Sequence, residues 1–516
     1  MKRGLAGLAL AALSAAAAAA NLPPDVAQAL KPYDEFRAHE LLAWHPEKRE
    51  VMVRRIHGAS DAPYLVSAPG ASPQPLATVA GKVVAASHSG SQAHQLVFIA
   101  DNANGSRSLQ RVNLATGTVS GVSPDAERAI DFAWNPEGDR VAYATRSGDA
   151  TIVRMGDPAR PTTERLLARL DGRWSGLRFA PGGRRLALVH EEGSAGSHVW
   201  VMGVATGTRR RVTRPDRKAP ASYRDPTFTP DGRAIFALSD RGSEYRRLVL
   251  IPLEGGPERP LTGHLSYDVD AFSVSADAGL LVFITNERGS HVLRFIDLVT
   301  LKEQPRPPLF DGVIGGLAWR PKSREIGFHI TSARTAGDVF SYDAKANQLT
   351  RWTNGNSPGV NTRDFAESQV IKWKSADGRE VSGLLYQPPA RFTGKRAVIV
   401  DHRAGAGSQW RAGFLGRLNY VVGEMGVAII RPNPRGSSGF GKSFAAMGSG
   451  ALRDEAQKDV AALLEWIATQ PALDAARTVV IGEGIAGQPD DEAFLAAAVD
   501  FALRLEMREP SAASIR

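Results

Sequence analysis

The feature of this sequence that most constrains its fold is a repeat that recurs from residue 40 to about residue 355. Each unit has an apolar pair, then a Pro or a substitute followed by Gly or a charge, and then an alternating apolar strand. The proline position falls at 46, 136, 181, 230, 276 and 321, at successive intervals of 90, 45, 49, 46 and 45 residues. The first interval is double the others, so a degenerate unit is expected near Ser91, which makes seven units.

Short alternating strands separated by turn signals, with a period near 45 residues, are typical of the four-stranded blades of a β-propeller. A second signal sits at a constant phase in several units: a strand that ends in a Gly turn, as at Gly117, Gly207 and Gly256. A β-sandwich would have similar strands but not this long-range period. The sequence therefore predicts a seven-bladed β-propeller domain over residues 21–355, which includes an N-terminal lead-in.

An aromatic side chain recurs at one phase of the repeat and has two interpretations, a surface that stacks on a ligand or a core between blades. The identical phase favours the core, because repeat units bury one equivalent face against each neighbour. The residues are Trp44, Trp134, Phe179, Phe228, Phe272 and Trp319.

The first 20 residues have the three parts of a secretory signal peptide. Lys2 and Arg3 precede an apolar, alanine-rich run that ends near Ala20, before a polar Asn-Leu-Pro-Pro stretch. The run is shorter than a comfortable membrane span, so a signal peptide over residues 1–20 is favoured over an anchor. We therefore expect an exported protein, periplasmic or extracellular, with no membrane contact after signal cleavage. The chain has no cysteine and must be stable without disulfides.

The chain carries 63 basic and 54 acidic residues, a net charge of +9, and its densest basic cluster is Arg209, Arg210 and Arg211. A nucleic-acid patch is one interpretation of this cluster. It follows a turn at Ala205-Thr206-Gly207 and lacks interleaved aromatic residues, and an exported protein seldom meets nucleic acid. A solvated loop is the favoured interpretation, and no nucleic-acid partner is expected.

A polar, turn-rich stretch at residues 355–365 is expected to link the propeller to a second domain over residues 364–516. There the pattern changes to a hairpin at 370–374 and 380–386, buried strands at 397–400, 427–430 and 478–481, and helices at 451–469 and 491–507. This order predicts an α/β domain with a mostly parallel sheet. Ser357 in the link satisfies G-x-S-x-G by letter, but it lacks the strand and helix that the motif needs, and chance is the better explanation.

The second domain resembles the prolyl oligopeptidase family of serine peptidases. The resemblance rests on the run from Arg431 to Gly441, with a helix that carries Asp459 and Trp466, and on the segment from Leu473 to Arg477. It implies a propeller followed by an α/β-hydrolase domain. The positions that match the family's asparagine–arginine–glycine loop are Asn433, Arg435, Gly436, Gly439 and Gly441.

The same resemblance places the family's nucleophile elbow at residues 478–487, where a strand breaks into glycines. A hydrolase elbow has the sequence G-x-S-x-G, with the Ser on a sharp turn after a strand. The middle position here is Gly484, a vestigial nucleophile position without a side chain. A second alignment matches Gly482 to Gly484 with the segment before the family's catalytic histidine, which Ile485 then replaces. Both alignments hold if the segment between elbow and histidine has been lost.

No Ser-Asp-His triad in the order of this fold can be assembled from the sequence. After residue 365 the only histidine is His402, upstream of the elbow, where the resemblance implies a vestigial oxyanion-loop position or a surface histidine at a strand end. Residues 364–516 are also fewer than the roughly 200–250 that a full hydrolase sheet needs. We therefore predict a multidomain β plus α/β protein with a truncated hydrolase domain and no intact catalytic residue.

Two classes of function remain. One is a catalytically inactive homologue that at most binds peptides or a partner, and the other is an active serine peptidase with an unrecognised nucleophile. A gene interrupted by deletion is a third. No cofactor and no metal are expected. The strand at 478–481 would lie near an open sheet edge, so self-association into a homo-oligomer is expected unless a helix covers it.

Overall fold

The computed structural model describes residues 22–508 except for 59, 77–78, 80–81, 103–104, 194–195, 216–218, 276, 278, 403–406, 449–452 and 483–490. The predicted signal peptide lies outside the described residues. Within them, no helix is long and apolar enough to cross a membrane.

Seven antiparallel sheets follow one another along the chain, each with its strands in sequence order, which confirms the predicted propeller. Blades one and two are β1 (Ala38–Trp44), β2 (Val51–His57), β3 (Ser60–Val66), β4 (Gln74–Pro75), β5 (Lys82–His88), β6 (Gln95–Asp101), β7 (Arg107–Asn113) and β8 (Thr118–Gly121). Blades three and four are β9 (Arg128–Trp134), β10 (Val141–Ser147), β11 (Ala150–Asp157), β12 (Arg160–Asp171), β13 (Arg173–Phe179), β14 (Arg185–Glu191), β15 (Ser197–Gly203) and β16 (Arg209–Arg211).

Blades five to seven complete the ring. They are β17 (Tyr223–Phe228), β18 (Ala234–Ser239), β19 (Arg247–Pro252), β20 (Arg259–Pro260), β21 (Asp268–Val274), β22 (Leu280–Glu287), β23 (Ser290–Asp297), β24 (Val313–Trp319), β25 (Glu325–Ser332), β26 (Thr335–Asp343) and β27 (Gln348–Arg351). Blade six has three strands, and a single bridge between Ile296 and Glu303 follows them. The cluster Arg209–Arg211, predicted as a turn, is instead the outer strand of blade four.

Among the described residues, a cluster of buried apolar side chains lies at each of the seven junctions between neighbouring blades. At the junction of blades three and four, for example, Ala144 and Val153 pack with Trp174 and Leu188. The recurring aromatic residues lie in or against these clusters, which confirms their prediction as core. Trp44 and Phe228 are buried, and the half-buried members are Trp134, Phe179, Phe272 and Trp319.

The innermost strand of each blade has a register shift against its neighbour. Such a bulge bends the strand and releases one residue from the ladder, so that its side chain can be aimed elsewhere. In blade six the released residue is Asp270, between Val269 and Ala271. Its carboxylate is used in the contact with the second domain that is described below.

The ring closes between blades one and seven without an exchanged strand, because all four strands of blade seven come from residues 313–351. The Trp44 indole donates to the Ala318 carbonyl at 2.9 Å, and the Arg37 amide donates to the Gly355 carbonyl at 2.8 Å. Gly355 also donates its amide to the buried Asp338 carboxylate at 3.0 Å. A Cβ at Gly355 would overlap the Arg37 carbonyl oxygen, so the closure requires glycine there.

The second domain is a five-stranded sheet with helices on both faces. Its strands are β28 (Ser368–Lys374), β29 (Glu380–Tyr386), β30 (Arg396–His402), β31 (Ala428–Asn433) and β32 (Leu473–Gly482), and its helices are α2 (Leu418–Gly423), α3 (Lys442–Ala446), α4 (Arg453–Thr469) and α5 (Asp491–Arg508). The strand order is β28-β29-β31-β30-β32.

The sheet is mixed, which corrects the prediction of a mostly parallel one. The pairs β28–β29 and β29–β31 are antiparallel, and only β30–β31 and β30–β32 are parallel. The hairpin that the sequence indicated therefore forms two of the five strands. The strand predicted at 478–481 begins earlier, since Leu473 already pairs with Arg396. β32 ends the described sheet, and self-association through it stays a prediction.

The N-terminal helix α1 (Pro24–Asp34) packs on the second domain, although its sequence precedes the propeller. Val26 and Leu30 are buried against α2 and the sheet, in one cluster with Val422 and Phe494. On the opposite face α4 packs Leu463 and the rest of its apolar stripe against the sheet. The first and last described elements, α1 and α5, therefore lie on the same domain, and the propeller lies between them in sequence.

We predict that Gly355→Ala lowers the free energy of unfolding by about 1–3 kcal/mol or more, which is the usual cost of forcing an additional atom into a packed site. The new Cβ would overlap the Arg37 carbonyl oxygen and separate blades one and seven. Thermal unfolding followed by circular dichroism measures the effect. Gly182→Ala is the control, because a Cβ at Gly182 meets no atom within 4 Å. Equal melting temperatures for both variants would contradict this account of the closure.

Candidate functional site

The candidate site lies at the carboxyl ends of the parallel strands β30, β31 and β32. In an open α/β sheet this edge is where loops converge and ligands bind. His402, the last residue of β30, pairs with Gly482, the last residue of β32. A Cβ at Gly482 would overlap the His402 carbonyl, so the two strands approach this closely only because residue 482 is a glycine. Gly484 and Ile485 lie outside the described residues.

His402 is half-buried at the strand end, and the residues after it, 403–406, are not described. The residue before it, Asp401, is fully buried and forms an ion pair with Arg431 of β31 at 3.1 Å. The Arg431 guanidinium lies over the ring of Trp410, 4.2 Å from its centroid. The Trp410 indole in turn donates to the Asp401 carbonyl at 3.1 Å. These contacts fix the loop that follows β30 against β31.

Asn433, the first residue of the family loop, joins the same two loops. It is buried, and its side-chain carbonyl accepts from the Trp410 amide at 2.7 Å. Its side-chain amide donates to the Trp410 carbonyl at 3.0 Å. The Asn433 side chain thus bonds both backbone groups of Trp410, as a neighbouring strand would, and no local pattern predicts this contact.

Arg435 is buried and makes the densest set of hydrogen bonds in the domain. Its guanidinium donates to both carboxylate oxygens of Asp459 on α4, at 2.6 to 3.0 Å, and its amide donates to the same carboxylate at 2.9 Å. It also donates to Ser375 at 2.8 Å and to Asp377 at 2.7 Å, in the turn between β28 and β29. The bonds to Asp459 raise the pKa of Arg435. One side chain therefore ties the loop, a helix and a hairpin together.

The glycines of the loop bring its backbone against the propeller. Gly436, Gly439 and Gly441 have φ values of +96°, +83° and +97°, in the region that favours glycine. A Cβ at Gly439 would lie 2.7 Å from the side chains of Asn286 and Gln409, and one at Gly441 would lie 2.5 Å from Glu244. The loop is therefore a structural part of the contact between domains.

Three propeller turns reach the second domain beside this loop. Glu244, after β18, accepts from the amide and hydroxyl of Ser443 at 2.7 and 2.8 Å. Asn286, at the end of β22, donates to Gln409 at 2.7 Å. Arg334, after β25, forms an ion pair with Glu367 at 2.8 Å.

Arg411 makes the most highly charged of the contacts between domains. Its guanidinium lies 2.9 Å from the carboxylate of Asp270, the bulge residue of blade six, and 2.7 Å from the imidazole of His291. Arg246 pairs with the other Asp270 oxygen at 2.7 Å. Burial alone would raise the pKa of Asp270, but the hydrogen bond to His291 and the two guanidinium charges hold it well below its ordinary value. Asp270 thus stays ionised between the domains.

A cleft of about 640 Å³ opens between blades six and seven and the second domain. No sequence pattern predicts this cleft, because its walls come from four separate segments. Phe310 is 43% exposed on one wall and packs edge-on against Phe340, with ring centroids 5.6 Å apart. The other lining residues are Leu309, Asp311, Ser332, Ala333, Arg334, Thr335, Arg351, Asn356, Thr362, Glu367, Ser368 and Ala412.

We predict that Asp459→Ala destabilises the second domain by about 3–5 kcal/mol, because it leaves the Arg435 charge buried without its main partner. Denaturant unfolding measures the loss. The control is Asp377→Ala, which removes a second carboxylate from the same guanidinium. Asp377 is 43% exposed, so its loss should cost much less than that of Asp459. Equal costs for the two variants would contradict the role given to the buried pair.

Comparison with known proteins bears on this site. Residues 415–487 match the prolyl oligopeptidase family of peptidases. An uncharacterised peptidase of Bacillus subtilis, YuxL, is 33% identical over 89 residues. That match covers 16% of this chain and only 13% of the Bacillus protein.

Solved structures that resemble this chain include prolyl endopeptidases and oligopeptidases. A prolyl endopeptidase from a study of interdomain dynamics matches with a TM-score of 0.73 and 14% identity, over 91% of this chain and 72% of its own. Ligand-free prolyl oligopeptidase B of Galerina marginata matches with a TM-score of 0.72 and 13% identity, over 89% and 71%. At 13–14% identity, this likeness shows only that the chains share a fold. Residues 415–487 thus carry the sequence signature of the prolyl oligopeptidase family, on a chain with the propeller and hydrolase fold of prolyl oligopeptidases, which confirms the resemblance seen in the sequence.

Proposed function

We propose that this chain is an exported, catalytically inactive homologue of prolyl oligopeptidases that binds peptides between its two domains. The residue at the nucleophile position carries the proposal. β32 ends at Gly482, beside the end of β30, and the residue two positions later is Gly484. Glycine has no group that could attack a carbonyl. Export rests on the pattern of residues 1–20.

The chemistry of the fold supports the inactive assignment. In hydrolases of this type a serine attacks, a histidine takes its proton, and an acid orients the histidine. Losing the nucleophile alone removes several orders of magnitude of rate, and oxyanion-hole contacts retain only a small remainder. The one histidine of the second domain, His402, ends β30, and the buried Asp401 beside it is paired with Arg431.

Peptide binding is supported by the interdomain cleft, which does not depend on the elbow. Its volume and its mixed lining are those of a ligand site, with apolar surface at Phe310 and Phe340 and polar groups around it. Arg334 and Glu367 form an ion pair at its wall, so a positive and a negative group lie side by side there. We expect a short peptide to place an apolar or aromatic side chain on Phe310, with its backbone along the polar wall.

An active serine peptidase is the second candidate, and the serines of two loops favour it. Ser437 and Ser438 follow β31, and the Ser438 amide donates to the Ser408 carbonyl in the loop after β30. These serines lie at the strand ends where hydrolases hold their catalytic groups. Ser437 is only 2% exposed, which argues against its direct attack on a peptide.

We predict that the purified, folded mature protein is not labelled by a fluorophosphonate probe and does not hydrolyse peptide substrates. A probe of this kind reacts with the activated serine of a hydrolase, and no such serine is expected here. Circular dichroism establishes that the sample is folded, and a heat-denatured sample gives the background. Labelling at one serine, mapped by mass spectrometry, would overturn the inactive assignment. Ser437, Ser438 and Ser408 would be the first sites to check.

We also predict that Phe310→Ala weakens binding of a fluorescein-labelled pool of random decapeptides, measured by anisotropy, by about tenfold, as expected for removal of an aromatic anchor worth 1–2 kcal/mol. Val299→Ala is the control, because Val299 is 86% exposed and does not line the cleft. Unchanged binding in Phe310→Ala would remove the cleft from the proposal. Absence of binding by the unmodified protein would remove peptide binding itself.

A further inference from the structure

The outer strand of blade three differs from every other outer strand of the propeller. β12 spans 12 residues, Arg160–Asp171, whereas β4, β8, β16, β20 and β27 have two to four residues each. Residues 160–166 are all exposed, so both faces of this part of the strand are in contact with solvent. β12 contributes Leu170 to the core from its other end, so the exposed part at residues 160–166 is not needed to close the blade.

β12 is also an edge of its sheet. The strand order is β12-β11-β10-β9, so within the described structure β12 pairs with β11 alone. An edge strand presents unpaired amide and carbonyl groups along its free side, which makes it a template for another strand. Proteins usually keep such edges short. The ladder with β11 shifts register at residues 161–164 and at Leu167, Pro161 has no amide, and the Leu167 carbonyl lies against Gly207 of blade four. The stretch left for a partner is Thr162–Leu166, five residues, which is the length of a typical strand.

Arginine side chains from two blades surround this edge. Arg165 of β12 donates to the Val204 carbonyl of blade four at 3.0 Å, so it lies at the junction of the two blades. On the outer strand of blade four, Arg209 lies over the Trp174 ring and Arg211 lies over the Trp200 ring, each 5.9 Å from the centroid. These stacking contacts hold the guanidinium groups on the side that faces blade three, where Trp174 and Trp200 pack.

The charges of this surface are not neutralised within the protein. The ion pairs of blade three are made by Arg140, Arg154 and Arg160, and by Asp131 with Arg178 of blade four. In the part of the chain that the structure describes, none is made by Arg165, Arg209 or Arg211. Residues 160–260 contain 19 basic and 11 acidic residues, a balance of +8 in a chain whose total is +9. Nearly all of the net positive charge is therefore on this side of the ring.

One apolar side chain lies within the charged surface. Leu166 follows Arg165 on β12 and is 61% exposed, one of the most exposed large apolar residues in the described chain. If the arginines only kept the edge soluble, a leucine at this position would work against them. Between arginines it is suited instead to a partner that carries both acidic and apolar side chains.

We propose that β12 is a docking strand for an acidic, extended segment of a partner protein, which adds to the sheet of blade three. The backbone of the segment would pair with the free side of Thr162–Leu166, beyond the hairpin turn and Pro161, as in other cases of strand addition. Its carboxylates would meet Arg165, Arg209 and Arg211, and an apolar side chain would cover Leu166. This surface is separate from the interdomain cleft, which blades six and seven line.

The test uses the full mature protein and a fluorescein-labelled decapeptide of alternating glutamate and valine, with binding followed by anisotropy. The triple variant R165E/R209E/R211E should bind at least about tenfold more weakly, since it replaces attraction by repulsion. The control is K302E/R306E/K345E, which makes the same charge change at exposed basic residues of blades six and seven and should bind as the unmodified protein does. Equal losses in both triple variants, or no binding by the unmodified protein, would overturn the proposal.

A second peptide distinguishes strand addition from attraction to any polyanion. Methylation of alternate backbone amides in the decapeptide keeps every charge but removes the hydrogen bonds that strand pairing needs. We expect this peptide to lose binding, and we expect residues 162–166 to gain protection from hydrogen exchange only with the unmethylated one. Equal binding of the methylated peptide, or full competition by heparin or DNA at equal charge, would instead identify a non-specific polyanion surface and overturn the proposal.

Discussion

The second domain depends most on the buried ion pair between Arg435 and Asp459. A guanidinium that is almost fully removed from water is tolerated only when its hydrogen bonds are satisfied, and here Asp459, Ser375 and Asp377 satisfy them. The pair fixes the loop after β31 to α4 and to the first hairpin. Because that loop also carries Gly439 and Gly441 to the propeller surface, one buried charge pair sets both the fold of the domain and its contact with the ring.

This arrangement gives the family's most specific motif a structural role that does not depend on a catalytic serine. Every residue of the asparagine–arginine–glycine loop has a structural partner: Asn433 binds the backbone of Trp410, Arg435 binds Asp459, and the glycines approach the propeller. None of these contacts involves residue 484. A match to this segment of the family therefore reports the fold and the joining of the domains, and it does not report catalysis.

Local sequence patterns predicted the individual strands, helices and repeats. They did not predict the features that depend on contacts between residues far apart in the chain. The 45-residue period predicted seven blades, because each blade repeats the same strands and turns. The hairpin at 370–386 was predicted, but the mixed sheet was not, since the pairing of β29 with β31 joins residues almost 50 positions apart. The short strand Arg209–Arg211 was predicted as a loop, because three consecutive arginines show no alternation of apolar and polar side chains. The docking of α1 on the second domain depends on contacts with residues near 422 and 494, which no local pattern shows.

The cleft between the domains does not depend on the groups that a peptidase needs. Its lining comes from the loop after blade six, the turn after β25 and the link at 356–368, and only Ala412 belongs to the loop that follows β30. The contacts that hold this region together, such as Arg334 with Glu367, lie outside the strand ends where a triad would stand. A substitution at the strand ends would therefore leave the walls of the cleft unchanged. In a fold built this way, different segments supply the cleft between the domains and the strand ends where hydrolases hold their catalytic groups.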